Sequence, residues 1–173
     1  QGNLTLVVTE ESDVTGSSVL SSANAITVSA LLIATPQQIS DVSSKITKSG
    51  NGSITAKITT TSDITNLTTT HINNFILNSS TVIMTPTQAE LFRNNITDNS
   101  STIKLLETSN ADYTALHVEN WNFDELLMQN SVITVTPNQT NFLKDKTISK
   151  NNSSITTNVS QNTNLTSLDL TSA

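Results

Sequence analysis

The stretch Ile83 to Phe92, IMTPTQAELF, decides how this chain is read. Apolar and β-branched residues run into Thr-Pro, then a Gln, then an apolar pair. Nearly the same phrase occurs as IATPQQISDV from Ile33 and as TVTPNQTNFL from Thr134, with Pro36, Pro86 and Pro137 spaced 50 and 51 residues apart. Self-similarity at a fixed period is settled before any fold is assigned, because it decides what the folding unit is.

Two further phrases keep the same step. Ser12-Asp13-Val14-Thr15 returns as Ser62-Asp63-Ile64-Thr65, then as Ala111-Asp112-Tyr113-Thr114, and in degraded form as Gln161-Asn162-Thr163-Asn164. The apolar run Leu4–Val8 returns at Ile54–Ile58, Ile103–Leu106 and Ile155–Val159. One order and one spacing define a repeat of about 50 residues, with units near 1–35 (partial), 36–85, 86–136 and 137–173 (partial) in a single repeat domain.

Each unit reads as alternating short strands and short helices. SSTVIMT is a strand; Thr85 is a candidate N-cap, and Pro86 suits the first helical position, where its missing N–H costs nothing. The helix PTQAELFRNN buries Ala89, Phe92 and Leu91, with Ile39 and Val42, then Phe142 and Leu143, as counterparts. After a polar turn the strand SITAKIT returns. The Ser-Asp-x-Thr phrase then opens a second short helix or turn containing Leu67, Leu116 or Leu165, and HINNFILN is another strand. A unit this small cannot bury its apolar face alone, whereas stacked copies share a continuous core. The expected architecture is an α/β repeat, an elongated solenoid with parallel ladders between strands at equivalent places. An all-β sandwich is the alternative.

Composition fits ladders of aliphatic side chains. Of 173 residues, 35% are hydrophobic but only 3% aromatic and 13% charged, and Ser, Thr and Asn fill the gap. Polar tracts can be disordered, but here Ile, Val and Leu fall in short runs between turn residues, which is a strand pattern. The net charge of −6 argues against a nucleic-acid partner. No apolar stretch is long enough to span a membrane, and no signal peptide or anchor is read. The absence of cysteine removes disulfides and thiolate metal sites. A start at Gln1 is expected of a processed chain or an excised segment.

The phrase SDITNLTTT, followed by a strand and then VIMTPTQAELF, resembles the tandem repeats of very large secreted bacterial proteins: adhesins, S-layer proteins and RTX-type exoproteins. Asp13, Asp63 and Asp112 match the Asp of their Ser-Asp-Thr-Ala-Ala-Asn phrase. Gln38, Gln88 and Gln139 match the Gln of their short helix. Ile-Thr or Val-Thr replaces the usual Ala-Ala. The resemblance implies extracellular scaffolding or adhesion and carries over no catalytic residue.

The candidate sites are few. Asp13, Asp63 and Asp112 form a ladder that could hold Ca²⁺, but calcium wants six to eight oxygens and the glycine-rich calcium-binding nonapeptide is missing. Helix capping or an Asx-turn is the favoured role, with no cofactor expected. His71 and His117 recur at similar places without a carboxylate partner, a poor metal set. Asp124 and Glu125 near Trp121 occur in one unit only, and no nucleophile, base and orienter come together, so an enzyme is not expected. Tyr113, Trp121 and Phe123 could contact a sugar or partner, although a local core plug is favoured. A Thr array for ice lacks regular spacing. Sequons at Asn3, Asn51, Asn66, Asn78, Asn95, Asn99, Asn138, Asn151, Asn152, Asn158 and Asn164 would carry glycans if the source glycosylates asparagine.

The functional expectation is a non-enzymatic, extracellular structural or adhesive repeat protein of the cell surface. One alternative is the self-associating subunit of a filament or S-layer, since open strand edges invite pairing with another copy. Another is a carbohydrate-binding module for surface glycans. Neither nucleic acid nor membrane insertion is expected.

Overall fold

The computed structural model describes residues 3–159. The degraded fourth Asp phrase, Asn164 and Leu165 lie outside them. The first repeat holds β1 (Thr5–Val8), β2 (Ser12–Asp13), α1 (Val19–Ser22), β3 (Ala25–Val28), β4 (Leu31–Ala34), α2 (Pro36–Asp41) and β5 (Ile46–Lys48). The second holds β6 (Ser53–Ile58), β7 (Ser62–Asp63), β8 (Asn74–Asn78), β9 (Thr81–Met84), α3 (Pro86–Phe92) and β10 (Ile96–Asn99). In the third are β11 (Thr102–Glu107), β12 (Ala111–Asp112), β13 (Glu125–Gln129), β14 (Val132–Val135), α4 (Pro137–Leu143) and β15 (Thr147–Asn151), after which β16 (Ser154–Thr157) begins a fourth. The fold is therefore built mainly of strands with a few short helices. Among the described residues no helix is long and apolar enough to cross a membrane.

The chain falls into two compact units. The first comprises residues up to Val82 with Asn94–Ser101, and the second Ile83–Arg93 with the residues from Thr102 onward. Unit 1 contains a sheet in the order β1-β3-β5 and another in the order β10-β8-β6-β4-β2. In unit 2, β15, β13 and β11 lie side by side with β9 next in the same sheet, and β12-β14-β16 form a second sheet. The ladders of known register are all parallel. That excludes an antiparallel sandwich.

The ladders correct one expectation. Strands 50 residues apart are not partners: Thr5 faces Ala25, Ile26 faces Ile46, Leu32 faces Ile54 and Leu105 faces Leu126. A strand, a corner, a second strand and a return need only about 20 residues to bring the chain back beside itself. The sequence period is longer because successive circuits differ. One returns through the Pro-initiated helix and the next through the Asp turn.

Register aligns the core. Leu32 sits beside Ile54, Ala56 beside Phe75 and Ile58 beside Leu77 in unit 1, all buried. Leu105 beside Leu126 and Ile133 beside Ile155 do the same in unit 2. Full burial of each such side chain contributes about 1.5–3 kcal/mol, so narrow aliphatic ladders build a core with few aromatics. The helices add Ile39 and Val42 in unit 1, and Ala89, Phe92 and Leu143 in unit 2. Leu91 is 61% exposed, against expectation, because α3 turns it away from the face carrying Ala89 and Phe92. Phe142 is only half-buried.

Ser and Asn take over corner duties that would otherwise call for Gly. Left-handed backbone occurs at Gly50, Ser100 and Asn152, one per repeat before the strand that opens the next, and again at Ser79 and Asn130. Ser101 Oγ accepts the N–H of Ser80 at 3.1 Å, and Ser153 Oγ accepts that of Ser131 at 3.0 Å. Ser80 and Ser131 are buried, so these bonds satisfy main chain that water cannot reach.

A clamped corner and a recurring cleft as the candidate functional site

The Thr-Pro-x-Gln corner is a capping box in all three repeats. Thr35, Thr85 and Thr136 are extended N-caps whose hydroxyls accept the N–H of Gln38, Gln88 and Gln139 at 3.2, 3.2 and 3.3 Å. The Gln Oε1 atoms accept the Thr N–H at 2.8, 2.9 and 2.8 Å. Pro36, Pro86 and Pro137 occupy the first turn.

The glutamines also act at long range. Gln139 Nε2 donates to the carbonyls of Tyr113 and Leu116 at 2.8 and 2.9 Å. In unit 1, Gln38 Nε2 donates to Val14 and Ser17 at 3.0 and 2.6 Å. One amide thus closes the helix start and fastens the Asp turn more than 20 residues earlier in the chain.

That turn is not a helix. Asp13 Oδ1 accepts the N–H and hydroxyl of Thr15 at 3.0 and 2.8 Å, Asp63 those of Thr65 at 3.0 and 2.7 Å, and Asp112 those of Thr114 at 2.9 and 2.7 Å. The three aspartates are therefore Asx-turn closures rather than helix caps, since turn and not helix follows each. Hydrogen bonds from Lys57 and Thr15 hold the Asp13 carboxyl at a pKa of about 2. The Thr114 hydroxyl and N–H also hold Asp112 below the usual carboxylate range.

A further clasp escaped the sequence reading. Asn24 Oδ1 accepts the N–H of Leu4 at 2.9 Å, Asn73 Oδ1 that of Ile54 at 2.9 Å, and Asp124 Oδ2 that of Ile103 at 2.8 Å. Each of these residues returns its own N–H to the same partner's carbonyl at 2.8 Å. Asp124 is thus the third member of a structural series. Glu125 instead pairs with Lys104 at 2.7 Å, and the hydrogen bonds from Lys104 and Ser149 keep its pKa low.

The aromatic residues are a plug, not a platform. Tyr113, Trp121 and Phe123 are each at most 3% exposed, packed edge to face at 5.4 and 6.5 Å, with Phe142 next at 5.9 Å. A sugar needs an open ring face, which none of the three offers. Glu90 locks α3 to this cluster: Oε2 accepts Trp121 Nε1–H at 2.6 Å, and Oε1 lies 2.8 Å from His117 Nδ1 and 2.6 Å from Arg93. Burial works against the charge of Glu90, but the Trp121 and His117 hydrogen bonds and the Arg93 charge together keep its pKa low. His71 is half-buried in unit 1. Among the described residues, no group of three or more His, Asp or Glu side chains is placed to hold a metal ion.

The sequon asparagines Asn3, Asn51, Asn66, Asn95, Asn99, Asn138, Asn151, Asn152 and Asn158 are exposed. Asn78 is half-buried and accepts Asn99 Nδ2–H at 2.7 Å.

The concave features recur as well. A cleft of about 220 Å³ in unit 1 lies between Thr35-Pro36-Gln37 and the turn holding Asp63, Ile64 and Leu67. In unit 2 the equivalent positions, Thr85-Pro86-Thr87 with Asp112, Tyr113 and Leu116, line a cleft of about 390 Å³ that Glu107 also enters. Comparison with known proteins found no matching family model, no similar curated protein and no similar solved structure.

Proposed function

We propose that this chain is a non-enzymatic structural or adhesive repeat segment of an extracellular cell surface, its units stacked as a solenoid. The observation that carries this reading is the ladder joining one repeat to the next. In unit 1, β4 of the first repeat pairs with β6, the opening strand of the second. In unit 2, β14 of the third pairs with β16, which opens the fourth. A repeat whose sheet is finished by its neighbour suits a spacer that extends by accretion. The resemblance of the Asp and Gln phrases to secreted bacterial repeat proteins supports the same setting, as does the low content of charge and aromatics.

Two measurements test it. Small-angle scattering is expected to give a rod, with a radius of gyration clearly above the roughly 16 Å of a compact domain of this length. A value near 16 Å would refute the stack. Antibody labelling of intact source cells is expected to be positive and removable by external protease. Labelling only after permeabilisation would refute the surface assignment.

A further inference from the structure

The two clefts occupy equivalent positions, yet they differ in chemistry. Five residues before the turn aspartate stand Val8, Ile58 and Glu107, and one residue after it Val14, Ile64 and Tyr113. The second repeat fills both places with buried isoleucine. The third replaces the pair with a carboxylate and a phenol. Glu107 is 8% exposed; its Oε2 accepts the Tyr113 hydroxyl at 2.6 Å, and its Oε1 accepts the N–H and hydroxyl of Ser109 at 2.9 and 3.0 Å. A buried carboxylate in place of an aliphatic side chain costs desolvation that packing alone does not require. No Lys or Arg lines the cleft to balance it.

We propose that the unit 2 cleft binds a hexose-sized, polyhydroxylated ligand through Glu107 and Asp112. Its volume of about 390 Å³ falls in the range of small-ligand pockets, roughly 300–1,000 Å³, whereas the unit 1 counterpart at about 220 Å³ does not. Each carboxylate oxygen can accept two hydrogen bonds. Glu107 Oε2 therefore retains acceptor capacity beside Tyr113, and Asp112 uses Oδ1 for Thr114, leaving Oδ2 facing outward. Two acceptors suit the vicinal hydroxyls of a pyranose. Thr85 and Thr87 add hydroxyl groups, while Pro86 and Leu106 give an apolar wall for its C–H face. A cation fits less well, because Ca²⁺ needs six to eight close oxygens and the walls here are partly apolar. The inference narrows the adhesive side of the proposed function to a ligand class and rests on that reading for its biological setting alone.

The test is titration of the whole chain, isotope-labelled, with methyl glucoside, galactoside and mannoside, followed by NMR. At least one is expected to give saturable shifts at Glu107, Asp112, Tyr113 and Thr87, with none at Thr35, Asp63 or Ile64. The paired variant Glu107→Ile, Tyr113→Ile restores the residues that the second repeat already tolerates. It is expected to keep native Trp121 fluorescence and to bind at least about tenfold more weakly. Asp112→Asn, which can still close the turn, is expected to weaken binding as well. Absence of saturable shifts with every hexoside would overturn the proposal. So would unchanged affinity in the paired variant, or shifts produced by Ca²⁺ alone. Surface labelling of cells is a separate readout, so failure there leaves hexoside binding to be judged by itself.

Discussion

Gln139 offers the most direct test of how the fold is held. Its side chain is 3% exposed and makes three long-lever hydrogen bonds: it accepts from Thr136 N–H and donates to the Tyr113 and Leu116 carbonyls. At about 1 kcal/mol net for each, Gln139→Ala should cost about 3 kcal/mol, and more where water cannot reach the groups left behind. Gln139→Glu keeps the shape and the acceptor but aims a carboxylate oxygen at two carbonyl oxygens. Desolvation and those two dipoles raise the folded pKa of the introduced carboxyl above its unfolded value of about 4.3. Stability linked to that proton is fully present below the unfolded pKa and lost as pH rises through the folded one. At about pH 7 the variant should therefore be at least as weak as the alanine variant. Towards about pH 4 it should recover about 1 kcal/mol relative to wild type, because the protonated acid can donate one bond. Urea unfolding followed through Trp121, which lies in the same unit, measures both. An alanine variant within about 1 kcal/mol of wild type, or a carboxyl variant with no pH-dependent deficit, would refute the clamp.

Other perturbations probe the corners and the surface. A Cβ on Gly52 would lie 1.9 Å from the Val28 carbonyl oxygen, while one on Gly16 meets nothing within 4 Å. Gly52→Ala should thus cost about 2–3 kcal/mol in urea unfolding and Gly16→Ala almost nothing; equal effects would contradict the close approach. Ser100, at φ 59°, is strained for an L-residue, so Ser100→Gly should be neutral or stabilising by about 0.5 kcal/mol in the same assay. Ser100→Val should cost about 1–2 kcal/mol, and the reverse order would rule out the left-handed corner. The Asp13 pKa is depressed to about 2 by Lys57 and Thr15, so its contribution is present above the unfolded pKa and lost as pH falls towards 2. Because the Asp13 side chain is 39% exposed, Asp13→Asn should cost only about 0.5 kcal/mol near neutral pH. That difference should vanish in acid, and one persisting at low pH would place the effect elsewhere.

Much of this architecture could be read from residues, and the failures have physical causes. Thr85 as N-cap with Pro86 behind it could be located because capping depends on local backbone groups and short side chains. The buried faces of α2 and α3 followed from their apolar spacing, but Leu91 did not, since a helix of seven residues leaves little to fix its rotation. The pairing period was misjudged because composition reports where chemistry repeats, whereas ladders report where the chain returns to itself. Asn24, Asn73 and Asp124 were missed although their spacing of 49 and 51 residues was visible. In an Asn-rich chain such a match is quiet, and the Asp in the third copy breaks the identity while keeping the acceptor. The cleft was harder still. Val8, Ile58 and Glu107 look unrelated until the turn shows that they share one position.

The ladder between repeats has a consequence for how such a chain can change in length. Because β4 and β14 each receive the opening strand of whatever repeat follows, every junction presents the same mating edge. Loss or gain of one whole period at the level of the gene would leave matching edges on both sides of the seam, whereas a cut of half a period would set a helix corner against a strand. Evolution could thus lengthen or trim the array in whole-repeat steps, with no new contact to invent at any join.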